Sequence, residues 1–84
     1  MKKIVMYTSS WCRDCRAAKK FLADRGIPYE EIDIEPDPAA AELVMQLNDG
    51  MRKVPTLVVE GIVVSGDDFN TARFEKDLRA AGAL

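Results

Sequence analysis

The 84-residue sequence predicts a single α/β domain over residues 1–84: a four-stranded mixed sheet flanked by helices, in the order β-α-β-α-β-β-α. Three observations lead there. Short apolar runs rich in β-branched residues alternate with segments whose apolar residues recur at helical spacing. The first alternation, strand–helix–strand, implies a parallel pair joined by a right-handed crossover. The last two strands are separated only by Glu60-Gly61, a two-residue hairpin signal, and so add antiparallel pairs.

Each element has a local cause. Ile4-Val5-Met6-Tyr7, bounded by Lys2-Lys3 and Thr8-Ser9-Ser10, reads as a buried strand. A helix follows the segment Ser10-Trp11-Cys12-Arg13-Asp14-Cys15 and runs through about Arg25, with Ala18, Phe21 and Leu22 at i, i+3 and i+4. Gly26 falls where a C′ glycine belongs, and Pro28 prevents continuation. Tyr29 to Ile34 gives a second strand, weakened by its carboxylates. Pro36-Asp37-Pro38 then breaks the chain. Asp37 is placed to cap a helix with Pro38 at its first position, running from Ala39 to about Asn48 and packing Leu43, Val44 and Leu47. Asn48-Asp49-Gly50 ends it. Val54-Pro55 precedes a third strand, Thr56 to Val59, and Ile62-Val63-Val64 returns after the hairpin. Ser65-Gly66-Asp67-Asp68 is a turn opening a last helix, about Asp68 to Ala81, which offers Phe74, Leu78 and Ala81 to the core.

Composition narrows the function. Hydrophobic residues make up 48% of the chain, too many for a disordered segment and enough for one core. Lys and Arg number 12 against 14 Asp and Glu, a net charge of −2, so neither a nucleic-acid footprint nor a polybasic membrane anchor is expected. Arg16, Lys19 and Lys20 read as the solvated face of the first helix. No apolar stretch approaches the roughly 20 residues of a membrane span. Met1-Lys2-Lys3 looks like the start of a signal peptide, but the run Ile4–Tyr7 is too short for its apolar region. A cytoplasmic monomer is expected.

The chain has two cysteines, Cys12 and Cys15, and no histidine. A disulfide between them closes too small a loop to staple a fold, so the pair points to redox chemistry or metal. A structural zinc site needs two further ligands, and neither a second pair nor a histidine is present. A dimer sharing an iron–sulfur cluster is the residual metal reading. A Cys-x-x-Cys beside a βαβ unit reads as a thioredoxin-like redox motif. The helix N-terminus offers unpaired N–H groups and partial positive charge to both sulfurs, favouring thiolate over thiol. Cys12, further out, is the expected nucleophile, and Cys15, nearer the core, the expected resolving thiol. Arg13 favours the thiolate while Asp14 competes with it for the helix terminus. Trp11 suits either a docking surface beside the sulfur or a cover over the core.

Tyr7-Thr8-Ser9-Ser10-Trp11-Cys12-Arg13-Asp14-Cys15, then Lys53-Val54-Pro55-Thr56, then Ser65-Gly66-Asp67-Asp68-Phe69, closely resemble the glutaredoxin family over essentially the whole chain. The resemblance implies a thioredoxin fold with a cis Pro55 facing the cysteines and no bound cofactor. It also implies glutathione as co-substrate and disulfide-containing client proteins as partners. Val54 would pair its backbone with the cysteinyl part of a substrate, and Gly66, Asp67 and Asp68 would hold the γ-glutamyl end of glutathione. Asp67 and Asp68 read equally as N-caps of the last helix.

Four positions depart from the glutathione-using pattern. Ser9 stands where a Lys or Arg is usual, Arg13-Asp14 replaces Pro-Tyr, and Lys53 replaces Thr. Arg52 and Lys53 could supply the missing positive charge, or be solvated loop residues. The Ser65-Gly66 turn is similar to that of glutaredoxin-like electron donors of ribonucleotide reductase, which are reduced by thioredoxin reductase, and Trp11 is similar to thioredoxin. A thioredoxin-reductase-type flavoprotein is therefore the alternative partner.

Overall fold

The computed structural model describes residues 2–84; Met1, at the head of the Met1-Lys2-Lys3 start, lies outside the described residues. The elements are β1 (Ile4–Thr8), α1 (Arg13–Asp24), β2 (Glu30–Asp33), α2 (Pro38–Leu47), β3 (Thr56–Val59), β4 (Ile62–Ser65) and α3 (Thr71–Ala80). They form the expected four-stranded mixed sheet, ordered β2-β1-β3-β4. β1 pairs parallel with β2, placing Met6 beside Glu31, and antiparallel with β3, placing Met6 beside Leu57. β3 pairs antiparallel with β4, Leu57 opposite Val64.

Strand alternation divides the apolar residues between two cores. On one face Ile4, Met6, Leu57, Val59 and Val64 meet Ala18, Phe21 and Leu22 of α1 and Phe74 and Leu78 of α3. On the other, Tyr7 and Ile34 meet Ala40 and Val44 of α2, with Val5, Ile32 and Val58 alongside. The sheet is thus covered by α1 and α3 on one side and by α2 on the other. Among the described residues no helix is long and apolar enough to cross a membrane.

The local punctuation acts as the sequence indicates. Asp37 caps α2, its carboxylate accepting from the Ala40 N–H at 3.1 Å, with Pro38 at the start. Gly26 follows α1 at φ 67°. Glu60 and Gly61 adopt φ of 46° and 91°, the two positive values that a type I′ hairpin turn requires.

Two expectations are corrected. Leu43 does not pack in the core but is 37% exposed, because α2 meets the sheet along a narrow stripe of Ala40 and Val44, and Leu43 lies about 100° round the helix from Val44. The last helix does not open at Asp68, and neither Asp67 nor Asp68 caps it. Asp68 has φ 52°, a left-handed conformation, and α3 begins at Thr71 with Asn70 as its cap, the Asn70 Oδ1 accepting from the Arg73 N–H at 2.9 Å.

The Val54–Pro55 peptide bond is cis. Gly66 lies directly against this proline: its N–H donates to the Pro55 carbonyl at 2.9 Å, and a Cβ on Gly66 would come within 2.7 Å of Pro55 Cγ. The glycine is required by close approach. Gly66→Ala is expected to cost about 1–3 kcal/mol, the usual penalty for overpacking, as a lowered midpoint of urea unfolding. An unchanged midpoint would mean that the Pro55 ring gives way freely.

Candidate active site

The site begins where β1 delivers the chain to α1. Ser9 accepts the Cys12 N–H at 3.2 Å, and Cys12 takes the extended backbone of an N-cap, φ −84° and ψ 118°. Its Sγ does what an N-cap oxygen normally does, accepting the Cys15 N–H at 3.0 Å. The same sulfur lies 3.6 Å from the Val54 carbonyl, to which a protonated Cys12 thiol donates. Both cysteines are free thiols. Cys12 is 7% exposed and Cys15 fully buried, so the outer and inner positions are as expected.

The two sulfurs differ in chemistry. Burial pushes the Cys15 thiol up to about 12; its hydrogen bond with Cys12 and that neighbour's charge add to the effect, while Ser9 and Lys19 oppose it. This corrects the expectation that the helix terminus favours thiolate at both positions: at Cys15 desolvation outweighs the dipole. The inner thiol is thus held protonated beneath the outer one.

Around Cys12 lies a groove of about 350 Å³, bordered by Trp11, Arg13, Asp14, Arg52, Lys53, Val54 and Asp67. Trp11 is 69% exposed, so it forms a wall of the groove and does not cover the core. Pro55 and Gly66 are buried, and Asp68 is exposed but outside the groove lining. Two of the three cations on the groove carry partners. Arg52 pairs with Glu35 at 3.2 Å and Lys53 with Asp67 at 3.9 Å. Glu35 also accepts from the hydroxyl of Ser9 at 3.1 Å.

Several contacts that shape the site carry no signal in sequence. Asp14 spans the fold to accept the backbone N–H groups of Asp68 at 3.0 Å and Phe69 at 3.3 Å. Arg73 holds the same turn from α3, donating to the carbonyls of Asp67 at 2.9 Å and Asp68 at 2.6 Å. Phe69 roots the turn in the core, its ring centroid 5.1 Å from that of Phe74. Behind Cys15, Lys19 reaches Glu31 at 3.0 Å, and Glu31 also accepts from the Thr8 hydroxyl at 2.8 Å. Burial acts against ionisation of Glu31, but these two bonds prevail and hold its carboxyl below the ordinary value, while the same contact raises Lys19. Among the described residues no group of three or more His, Cys, Asp or Glu side chains is arranged to hold a metal ion.

Comparison with known proteins agrees with this geometry. The glutaredoxin family model matches residues 4–64. A provisionally named glutaredoxin of Mycobacterium tuberculosis is 46% identical over 54 residues, which are 64% of this chain and 64% of that one. The match thus spans just under two-thirds of that relative's length. Mycoredoxin 1 of Corynebacterium glutamicum is 40% identical over 57 residues, covering 68% of this chain and 70% of its own. The solved structure of the glutaredoxin-like protein NrdH-redoxin from Escherichia coli superposes with a TM-score of 0.71 at 28% identity, covering 88% of this chain and 92% of that one. With two thiols at the head of α1 and the sheet order that carries them, the chain belongs to the glutaredoxin family.

Proposed function

We propose that the chain is a glutaredoxin-type dithiol–disulfide oxidoreductase that reduces protein disulfides and glutathione mixed disulfides. The Cys12 thiolate attacks one substrate sulfur, and the other leaves as a thiolate that takes a proton from water. Cys15 then gives up its proton and attacks Cys12, which releases the reduced substrate and leaves a Cys12–Cys15 disulfide. Two electrons pass from the dithiol to the substrate, and an external dithiol or two monothiols return them. The observation that carries this reading is the sulfur cap: a backbone N–H aimed at Cys12 Sγ stabilises negative charge there, with a protonated second thiol beneath it. Once Cys12 is in a mixed disulfide, its charge no longer opposes ionisation of Cys15. The Val54 backbone beside the sulfur is placed to pair with an extended substrate peptide.

The electron source has two readings. Glutathione is the one that the family suggests. A thioredoxin-reductase-type flavoprotein is favoured by the state of the cations: Ser9 is buried against Glu35 where a Lys or Arg would otherwise stand, and Arg52 and Lys53 are paired with acids of the chain itself. The Escherichia coli neighbour is described as having a thioredoxin-like activity profile. In either reading the protein works as a monomer in a reducing compartment such as the cytoplasm, without a bound cofactor or metal.

NADPH consumption with a small disulfide substrate, recycled in parallel by glutathione with its reductase and by thioredoxin reductase, tests both points. Turnover in one system or both is expected, and turnover in neither contradicts the proposal. Cys12→Ser is expected to abolish the activity. Cys15→Ser is expected to stall with protein disulfides as a mixed disulfide, visible as an adduct in the intact mass; a Cys15→Ser variant that turned over normally on such substrates would remove the resolving role.

A further inference from the structure

The contact between Asp14 and the 67–69 turn has a consequence for selectivity, and the inference rests on the oxidoreductase reading above. Two consecutive N–H groups, those of Asp68 and Phe69, face the margin of the Cys12 groove side by side, spaced to meet the two oxygens of one carboxylate. The left-handed backbone of Asp68 is the kind of turn that aims successive donors to one side. A carboxylate already sits there. It belongs to Asp14, two residues after the nucleophile, and it makes both bonds from within the groove lining.

The same occupation recurs around the groove. Glu35 engages Arg52, and Asp67 engages Lys53. The Asp68–Phe69 donors, Arg52 and Lys53 are thus engaged by carboxylates of the chain itself, and of the cations on the groove Arg13 alone has no such partner among the described residues. A small thiol bearing free carboxylates must displace Asp14 from two charge-assisted bonds and also meet its like charge. A polypeptide disulfide, uncharged at the cysteine, needs neither donor and can use the Val54 backbone and the Trp11 wall.

We propose that Asp14 is a specificity-determining residue: an internal carboxylate lock that fills the Asp68–Phe69 donor pair and turns the groove from small carboxylate-bearing thiols such as glutathione towards neutral polypeptide disulfides. It acts on binding and takes no part in the exchange of sulfurs.

The test uses two unreactive probes, S-methylglutathione and N-acetyl-S-methylcysteine methylamide, the second without a carboxylate. Each is titrated into the reduced wild-type chain, Asp14→Ala and Asp14→Asn while backbone amide resonances are followed. Asp14→Ala is expected to bind S-methylglutathione at least about tenfold more tightly than wild type, the scale set by charged hydrogen bonds regained. The Asp68 and Phe69 amides should shift with that probe in the variant and not in wild type. The uncharged probe should bind all three proteins alike. If Asp14→Ala loosens the turn, seen as collapse of the Asp68 and Phe69 resonances towards unstructured positions, Asp14→Asn decides, because its amide oxygen keeps an acceptor without the charge; it should show the same preference more weakly. Equal affinity of wild type and the deciding variant for S-methylglutathione, or an equal gain for both probes, overturns the lock. None of these readouts needs turnover, so a chain without redox activity and a chain without the lock give different results.

Discussion

A sulfur atom capping a helix is the interaction on which the rest of this structure turns. N-caps are usually oxygens of Ser, Thr, Asp or Asn, and here Cys12 Sγ takes the role for α1. A thiolate accepts an N–H more strongly than a thiol, so the cap would be strengthened by a thiolate at Cys12, the form that the proposed exchange uses. Local folding and nucleophilicity are therefore coupled in one bond. The helical geometry that places the Cys15 N–H on Cys12 also carries the Cys15 side chain inward, where desolvation keeps its proton. Two chemically identical residues three positions apart thus stand in different surroundings, the inner one shaped first by its burial.

The groove around that sulfur is assembled by contacts distant in sequence. The Val54–Pro55 segment is brought beside Cys12 by the β1–β3 pairing, and the glycine at position 66 lets the start of the next turn press on the proline ring. That turn is then held on three sides: by Asp14 through its N–H groups, by Arg73 through its carbonyls, and by Phe69 in the core. The exposed ion pairs Arg52–Glu35 and Lys53–Asp67 contribute little to stability, being largely solvated. Their effect is on charge: they offset the basic residues of a surface that would otherwise attract anions.

What could be read from the sequence followed range. The cap and proline of α2, the glycine after α1 and the Glu60-Gly61 hairpin act within a few residues, and each is where its local chemistry puts it. The order and pairing of the strands follow from the same signals. The depth of the two cysteines was legible too, from their places on a helix start. Leu43 was misplaced because helical spacing gives an apolar stripe but not how wide a stripe the sheet covers. The start of α3 was misplaced because Asp67, Asp68 and Asn70 are all good caps, and the choice was made by Asp14 and Arg73 fixing the turn ahead of Asn70. The electrostatic reading of Asp14 as a rival of the thiolate saw only its own helix. Its hydrogen bonds lie more than fifty residues away, a relation that no spacing rule reports.

The central claim is that burial, and not the shared helix terminus, divides the labour between Cys12 and Cys15. Alkylation of the reduced native chain with iodoacetamide, mapped by peptide mass over a range of pH, tests it directly. Ionisation of the inner thiol requires a pH near its raised value of about 12, so at neutral and mildly alkaline pH the label should fall on Cys12 alone, and Cys15 should react only in strongly alkaline solution or after unfolding. Labelling of both cysteines at one rate near pH 8 in the folded chain, or of Cys15 first, would contradict the account.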